Sequence, residues 1–248
     1  MAAKLSVYQQ SMNAGNEVLG THPESGDAIA AFTRAVNTAP HKPKRAAALQ
    51  MLMIAQSMAG QHHAARETGQ KALELPIKDL LRGTIVRDIN LARLRYAVTV
   101  TDPNQQAIEF TEAAKGFRES IALHRKDPAN ALEMHVTYGC LGRALDLMGR
   151  RDEAYDEMTQ SYPYVAAGDN LVYELNFICE FLPVIERSGL KTKLYKRGLE
   201  LIELTGHTRR TNELRLIMFG GNAMYRFVRR HPEIIQFAGK VARSAKVA

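Results

Sequence analysis

The chain has 248 residues, 46% of them hydrophobic and 24% charged, with 33 Lys and Arg against 26 Asp and Glu and a formal charge of +7. The apolar content is too high for a disordered chain, and no uncharged apolar run approaches the roughly 18–20 residues of a membrane helix. With 9 Pro, 17 Gly and 2 Cys, it is neither a low-complexity chain nor a disulfide framework.

The first residues, MAAKLSVYQQSMNAGN, lack the apolar core of a signal peptide. A cytoplasmic location is expected. The absence of acids before Glu17 leaves the mitochondrial matrix as the alternative. From there on, apolar residues recur at three- and four-residue spacing and strand signals are almost absent. Ala28, Phe32, Ala35 and Val36 mark one helix, closed by Pro40. Gly60 marks a turn, and the next helix carries Ala65 and Ala72 before Pro76. Asp102-Pro103 opens a helix expected to run to about His124, and Asp127-Pro128 breaks the chain again. Leu141, Ala144, Leu145 and Met148 line one face of a helix ended by Gly149. Gly168, Gly189 and Gly206 separate the later segments. The breakers cut the chain into about twelve helices of roughly 12–22 residues.

The same spacing recurs from segment to segment. Leu141-Gly142, Leu145, Gly149 and Ala154 form one frame, and Gly60, Ala65 and Ala72 repeat its second half, ending in Lys71-Ala-Leu-Glu-Leu-Pro76. Ala28, Phe32, Ala35 and Pro40 fit the second helix of an earlier unit. Asp102, Ala107 and Ala114 fit a third, and Gly189, Leu194 and Leu201 a fifth. Small residues let antiparallel helices approach closely, and a Gly takes the positive φ of a helix C-terminus. On these residues the chain resembles the tetratricopeptide-repeat family over about residues 5–205. The units begin near 9, 46, 88, 135 and 175, and none has the motif's Trp.

The resemblance implies an all-α, right-handed α-solenoid of about five antiparallel helix pairs (1–206), followed by basic capping helices (207–248) packed on the same solenoid. It also implies a groove lined by the first helix of each pair, holding a segment of another protein. Carried across residue by residue, the groove positions are Gln10, Asn13 and Glu17; Gln50, Met51 and Ile54; Asn90, Arg93 and Tyr96; Cys140 and Arg143; and Asn176, Cys179 and Glu180. Arg93 and Arg143 can grip a carboxylate bidentately. The Lys and Asn set of the family's carboxylate clamp is not found.

Chemistry-bearing constellations are missing from the sequence. His62-His63 are adjacent and diverge on a helix, and His124 and His135 are too loosely spaced for a metal signature. No nucleophile elbow, phosphate loop or zinc-protease motif occurs in context. The expectation is therefore a chain without enzymatic activity or cofactor.

Charge is segregated. Residues 207–248 hold nine Lys and Arg against Glu213 and Glu233, so this end carries the whole excess of +7 and the rest balances. Arg226, Arg229, Arg230, Lys240, Arg243 and Lys246 are the candidate contacts of this basic end. The leading expectation is an adaptor or structural subunit that binds an acidic or extended segment of a protein partner in the groove, with the basic end as a second contact. A nucleic-acid-binding repeat protein using the same end and a peptide-sensing regulator are the alternatives. No integral membrane segment is expected.

Overall fold

A computed structural model describes residues 5–22, 25–126, 131–168, 170–185, 188–208 and 210–219. All regular elements among them are helices: α1 (Val7–Thr21), α2 (Gly26–Thr38), α3 (Lys42–Met58), α4 (His62–Leu73), α5 (Asp79–Ala97), α6 (Pro103–His124), α7 (Ala131–Leu147), α8 (Arg151–Ala166), α9 (Leu171–Phe181), α10 (Ser188–Thr205) and α11 (Arg210–Phe219).

The ends of these helices follow local chemistry. Ser6 caps α1 in a capping box with Gln9: the Ser6 Oγ accepts from the Gln9 N–H, and the Gln9 side chain accepts from the Ser6 N–H at 3.1 Å. Asp102 caps α6 just before Pro103, which needs no N–H partner in the first turn. Asn170 caps α9 by accepting from the Tyr173 N–H. Gly60 and Gly149 take positive φ, +77° and +80°, and close α3 and α7 as the repeat frame requires.

The chain forms two compact units, dividing between Gly149 and Arg150. In the first, each of α1 to α6 packs on the next, and α3, α5 and α7 also pack side by side. The residues the repeat frame marked as small or large are the ones buried. Ala28, Phe32, Ala35, Ala65 and Ala72 are fully inaccessible. Phe32 packs with Ala28, Leu52 and Ala55, while Leu49, Met53, Ala65, Ala72, Ile85, Ile89 and Ala92 fill the space between α3, α4 and α5. Each large side chain buried in this way contributes about 1.5–3 kcal/mol.

The third unit departs from the expected frame. Ala114 is buried as the frame expects, but Ala107 is exposed, and α6 also buries Phe110, Ala113, Gly116 and Phe117. At 22 residues it is the longest of these helices and presents a face further along its length.

The second compact unit holds α8 to α11. Tyr155, Tyr162, Phe177 and Phe181 form an aromatic cluster between α8 and α9, with centroids 5.7–6.4 Å apart. Glu174 of α9, 2% exposed, receives two hydrogen bonds from Arg197 of α10, at 2.8 and 3.0 Å. Helix α11 packs on α10 through Leu214, which lies against Gly198.

Candidate functional site: a polar face of α3, α5 and α7

One side of α3, α5 and α7 carries hydrogen-bonded polar groups where the other side carries the core. Gln50 Nε2 on α3 donates to Asp88 Oδ2 on α5 at 2.9 Å. Arg87 Nε donates to the other oxygen of Asp88 at 2.9 Å, and Arg87 Nη1 pairs with Glu133 on α7. Toward the C-terminal ends of the same helices, Arg95 Nη1 donates to the Ser57 hydroxyl at 2.9 Å. Three successive odd-numbered helices are thus tied by polar contacts.

The electrostatics of the two guanidiniums differ. Burial works against the charge on Arg87, but the carboxylates of Asp88 and Glu133 overcome it and raise its pKa above the ordinary value. For Arg95 burial comes first and the neighbouring Arg143 guanidinium second, and both push its pKa down; Cys140 and Asp88 oppose them more weakly. His62, at the start of α4, is lowered by burial and then by Arg95. Cys140 is half-buried beside these groups, whereas Cys179 in the second unit is 1% exposed.

Among the described residues no helix is long and apolar enough to cross a membrane, and no cluster of three His, Cys, Asp or Glu is placed to hold a metal.

No protein-family model and no curated protein matches the chain. Among solved structures, a thermophilic TPR protein of Thermus thermophilus superposes with a TM-score of 0.61 at 17% identity, over 84% of this chain and 98% of that one. The chain has the tetratricopeptide-repeat fold. In repeat terms, α1, α3, α5 and α7 are the first helices of successive pairs, and α2, α4 and α6 are the second helices.

The expected groove residues divide between the two sides of these helices. Gln50 is on the polar face and is bonded to Asp88. Arg143 of α7 is half-buried and acts on Arg95. Asn13 is exposed on α1, and Tyr96 is half-buried near the end of α5. Asn90 and Arg93 lie on the other side of α5, toward the second helices. Asn90 is buried, donates to the Val86 carbonyl at 2.7 Å and packs against Gly116 of α6. Arg93 pairs with Glu109 and Glu112 of α6, at 3.3 and 3.4 Å, and Arg66 of α4 reaches the same Glu109. Asn176 belongs to the second unit, where its Oδ1 accepts from Arg210 at 2.8 Å. Arg226, Arg229, Arg230, Lys240, Arg243 and Lys246 lie outside the described residues.

Sequence reasoning missed Ser57, Asp88 and Arg95. The signal was present. Gln50 and Ser57, Asp88 and Arg95, and Glu133 and Cys140 are pairs seven residues apart, two turns along one helix face. That interval recurs in α3, α5 and α7 and marks the face that carries the polar contacts.

Proposed function

We propose that the face formed by α3, α5 and α7 binds a segment of a protein partner, and that the chain works as a non-enzymatic adaptor or as a structural subunit of an assembly. The observation that carries this reading is the polar network across three first helices, from Gln50 through Asp88 and Arg87 to Glu133. A surface with no ligand would be served as well by unlinked solvated side chains. Here Asp88 is buried, its neighbours are half-buried, and all are held in place, which lowers the entropy lost when a partner docks. The tetratricopeptide-repeat fold supports the same reading.

The test uses Cys140 as a reporter on this face. A photo-crosslinker attached there should capture a partner from an extract of the source cells. Arg95→Glu should abolish that capture, and Arg34→Glu, on the exposed side of α2, should leave it unchanged. Capture that ignores Arg95→Glu, or a chain that crosslinks to nothing, would overturn the proposal.

The concentration of net charge in residues 207–248 favours a second contact at that end. An acidic protein surface is the first reading and a nucleic acid the second. In the second, affinity for RNA should fall steeply with salt and vanish when Arg226, Arg229 and Arg230 become Gln. Binding that ignores salt would dismiss the nucleic-acid reading.

A further inference from the structure

A groove of about 400 Å³ runs between α1 and α2, and no residue of α3 lines it. Val7, Gln10, Ser11 and Ala14 line it from α1. Asp27, Ala30, Ala31 and Arg34 line it from α2. Each set follows the i, i+3, i+4, i+7 spacing of a single helix face.

The α2 set is complementary to itself. Asp27 and Arg34 are both exposed, and neither pairs with an opposite charge among the described residues. Asp27 accepts a hydrogen bond from the neutral Ser25 hydroxyl at 3.0 Å. Seven residues separate Asp27 from Arg34, about 10.5 Å along the helix, too far for the two to meet within one chain. Ala30 and Ala31 sit halfway between them. When two copies of α2 lie antiparallel about a two-fold axis at Ala30 and Ala31, Asp27 of each copy faces Arg34 of the other. The two alanines at the axis let the helix backbones come close.

Ser11 supplies a separate observation. It is 5% exposed, and its hydroxyl has no hydrogen-bond partner among the described residues. A buried hydroxyl in that state calls for an acceptor. Gly15 lies against Phe32, and α1 and α2 run antiparallel, so Ser11 is at the Arg34 end of the groove. A carboxylate brought to Arg34 has a further oxygen to which Ser11 can donate. We propose that this groove is the interface of a homodimer, with α2 of the two copies antiparallel and Asp27 of each copy held by Arg34 and Ser11 of the other. The surface shares no residue with the polar face of α3, α5 and α7.

The test is sedimentation velocity on the full chain, from low micromolar to submillimolar concentration. The chain should pass from monomer to dimer. Asp27→Arg and Arg34→Asp each put like charges opposite one another at both ends of the interface. Each should raise the dissociation constant by roughly tenfold or more. Mixing the two single variants restores both attractive pairs, as does combining the substitutions in one chain, and either should recover dimerisation. Ala30→Lys, at an exposed position, places a long side chain on the axis and should also break the dimer. Circular dichroism reports whether each variant is folded. A chain that stays monomeric throughout would overturn the proposal and leave the groove to a different occupant. So would a dimer that ignores the reversals and Ala30→Lys, or one that neither the mixture nor the double variant restores.

Discussion

The imidazole of His124 occupies the space that a side chain on Gly83 would need. A β-carbon at Gly83 would lie 2.8 Å from His124 Cε1 and 3.0 Å from Nε2. The ring is 1% exposed, and neither of its nitrogens has a hydrogen-bond partner. The end of α6 is thereby locked against the start of α5. Ser120, one turn earlier, reinforces the contact by donating to the Gly83 carbonyl at 2.8 Å. A polar ring without partners in such a place is stable only when neutral.

That arrangement sets a pH dependence. Burial is the main cause that lowers the His124 pKa; Glu133 opposes it, Arg87 adds to the lowering, and Asp88 opposes it least. In the unfolded chain a histidine titrates near 6.5. Below that pH the unfolded chain takes up the proton and the folded one resists it, so stability falls as pH drops through about 6.5. His62 is lowered as well and adds in the same sense. Thermal melts between about pH 7.5 and 5 should show the fall, and His124→Leu should flatten it without loss of stability at neutral pH. A variant with the same slope as the parent chain would disprove the role of His124.

Gly116 and Gly20 should respond oppositely to Ala. At Gly116 a β-carbon would lie 2.0 Å from Asn90 Nδ2, and Asn90 is itself buried and bonded. Gly116→Ala should cost about 1–3 kcal/mol, as overpacking does. At Gly20, in the last turn of α1, nothing lies within 4 Å. Gly20→Ala should stabilise by roughly 0.4–1 kcal/mol by restricting the unfolded chain. Denaturant midpoints of the two variants check both signs.

The Glu174–Arg197 pair should be asymmetric. The Glu174 side chain is 2% exposed and that of Arg197 34%. Among the described residues, Arg197→Met leaves the buried carboxylate only the Tyr162 hydroxyl, at 3.5 Å, and should cost about 3 kcal/mol. Glu174→Gln leaves a guanidinium that water can reach and that keeps Glu200, so its cost should be smaller, about 1–2 kcal/mol. Urea unfolding of both variants measures the difference; equal losses would contradict the burial argument.

Cysteine reactivity separates the two thiols. Cys140 is half-buried and Cys179 fully buried. Titration with a thiol reagent should modify one cysteine in the folded chain and two after unfolding, with mass spectrometry placing the first at Cys140.

The repeat architecture was legible from the chain alone because it depends on local rules. Gly60 and Gly149 end helices with positive φ, and the small residues Ala28, Ala65, Ala72 and Ala154 are buried where two helices meet. These features follow from backbone sterics and from apolar periodicity, both written into neighbouring residues. In the third unit Ala107 and Ala114 share one face of α6, but burial begins only at Phe110, so Ala107 stays exposed and only the packing of the helix shows where along that face the contact starts.

The face that each residue of α5 presents was decided by the tertiary structure. One residue turns a helix by about 100°, so Asn90 and Arg93 could be put in the groove from spacing alone. Packing of Ile85, Ile89 and Ala92 into the core fixes the rotation of α5. It sends Asn90 and Arg93 toward α6 and brings Asp88 and Arg95 to α3. The sequence by itself determined that the chain is a stack of helix pairs with its net charge at one end. That Gln50 meets Asp88, Ser57 meets Arg95 and Arg87 meets Glu133 came only from long-range contacts, because each helix supplies just one member of these pairs.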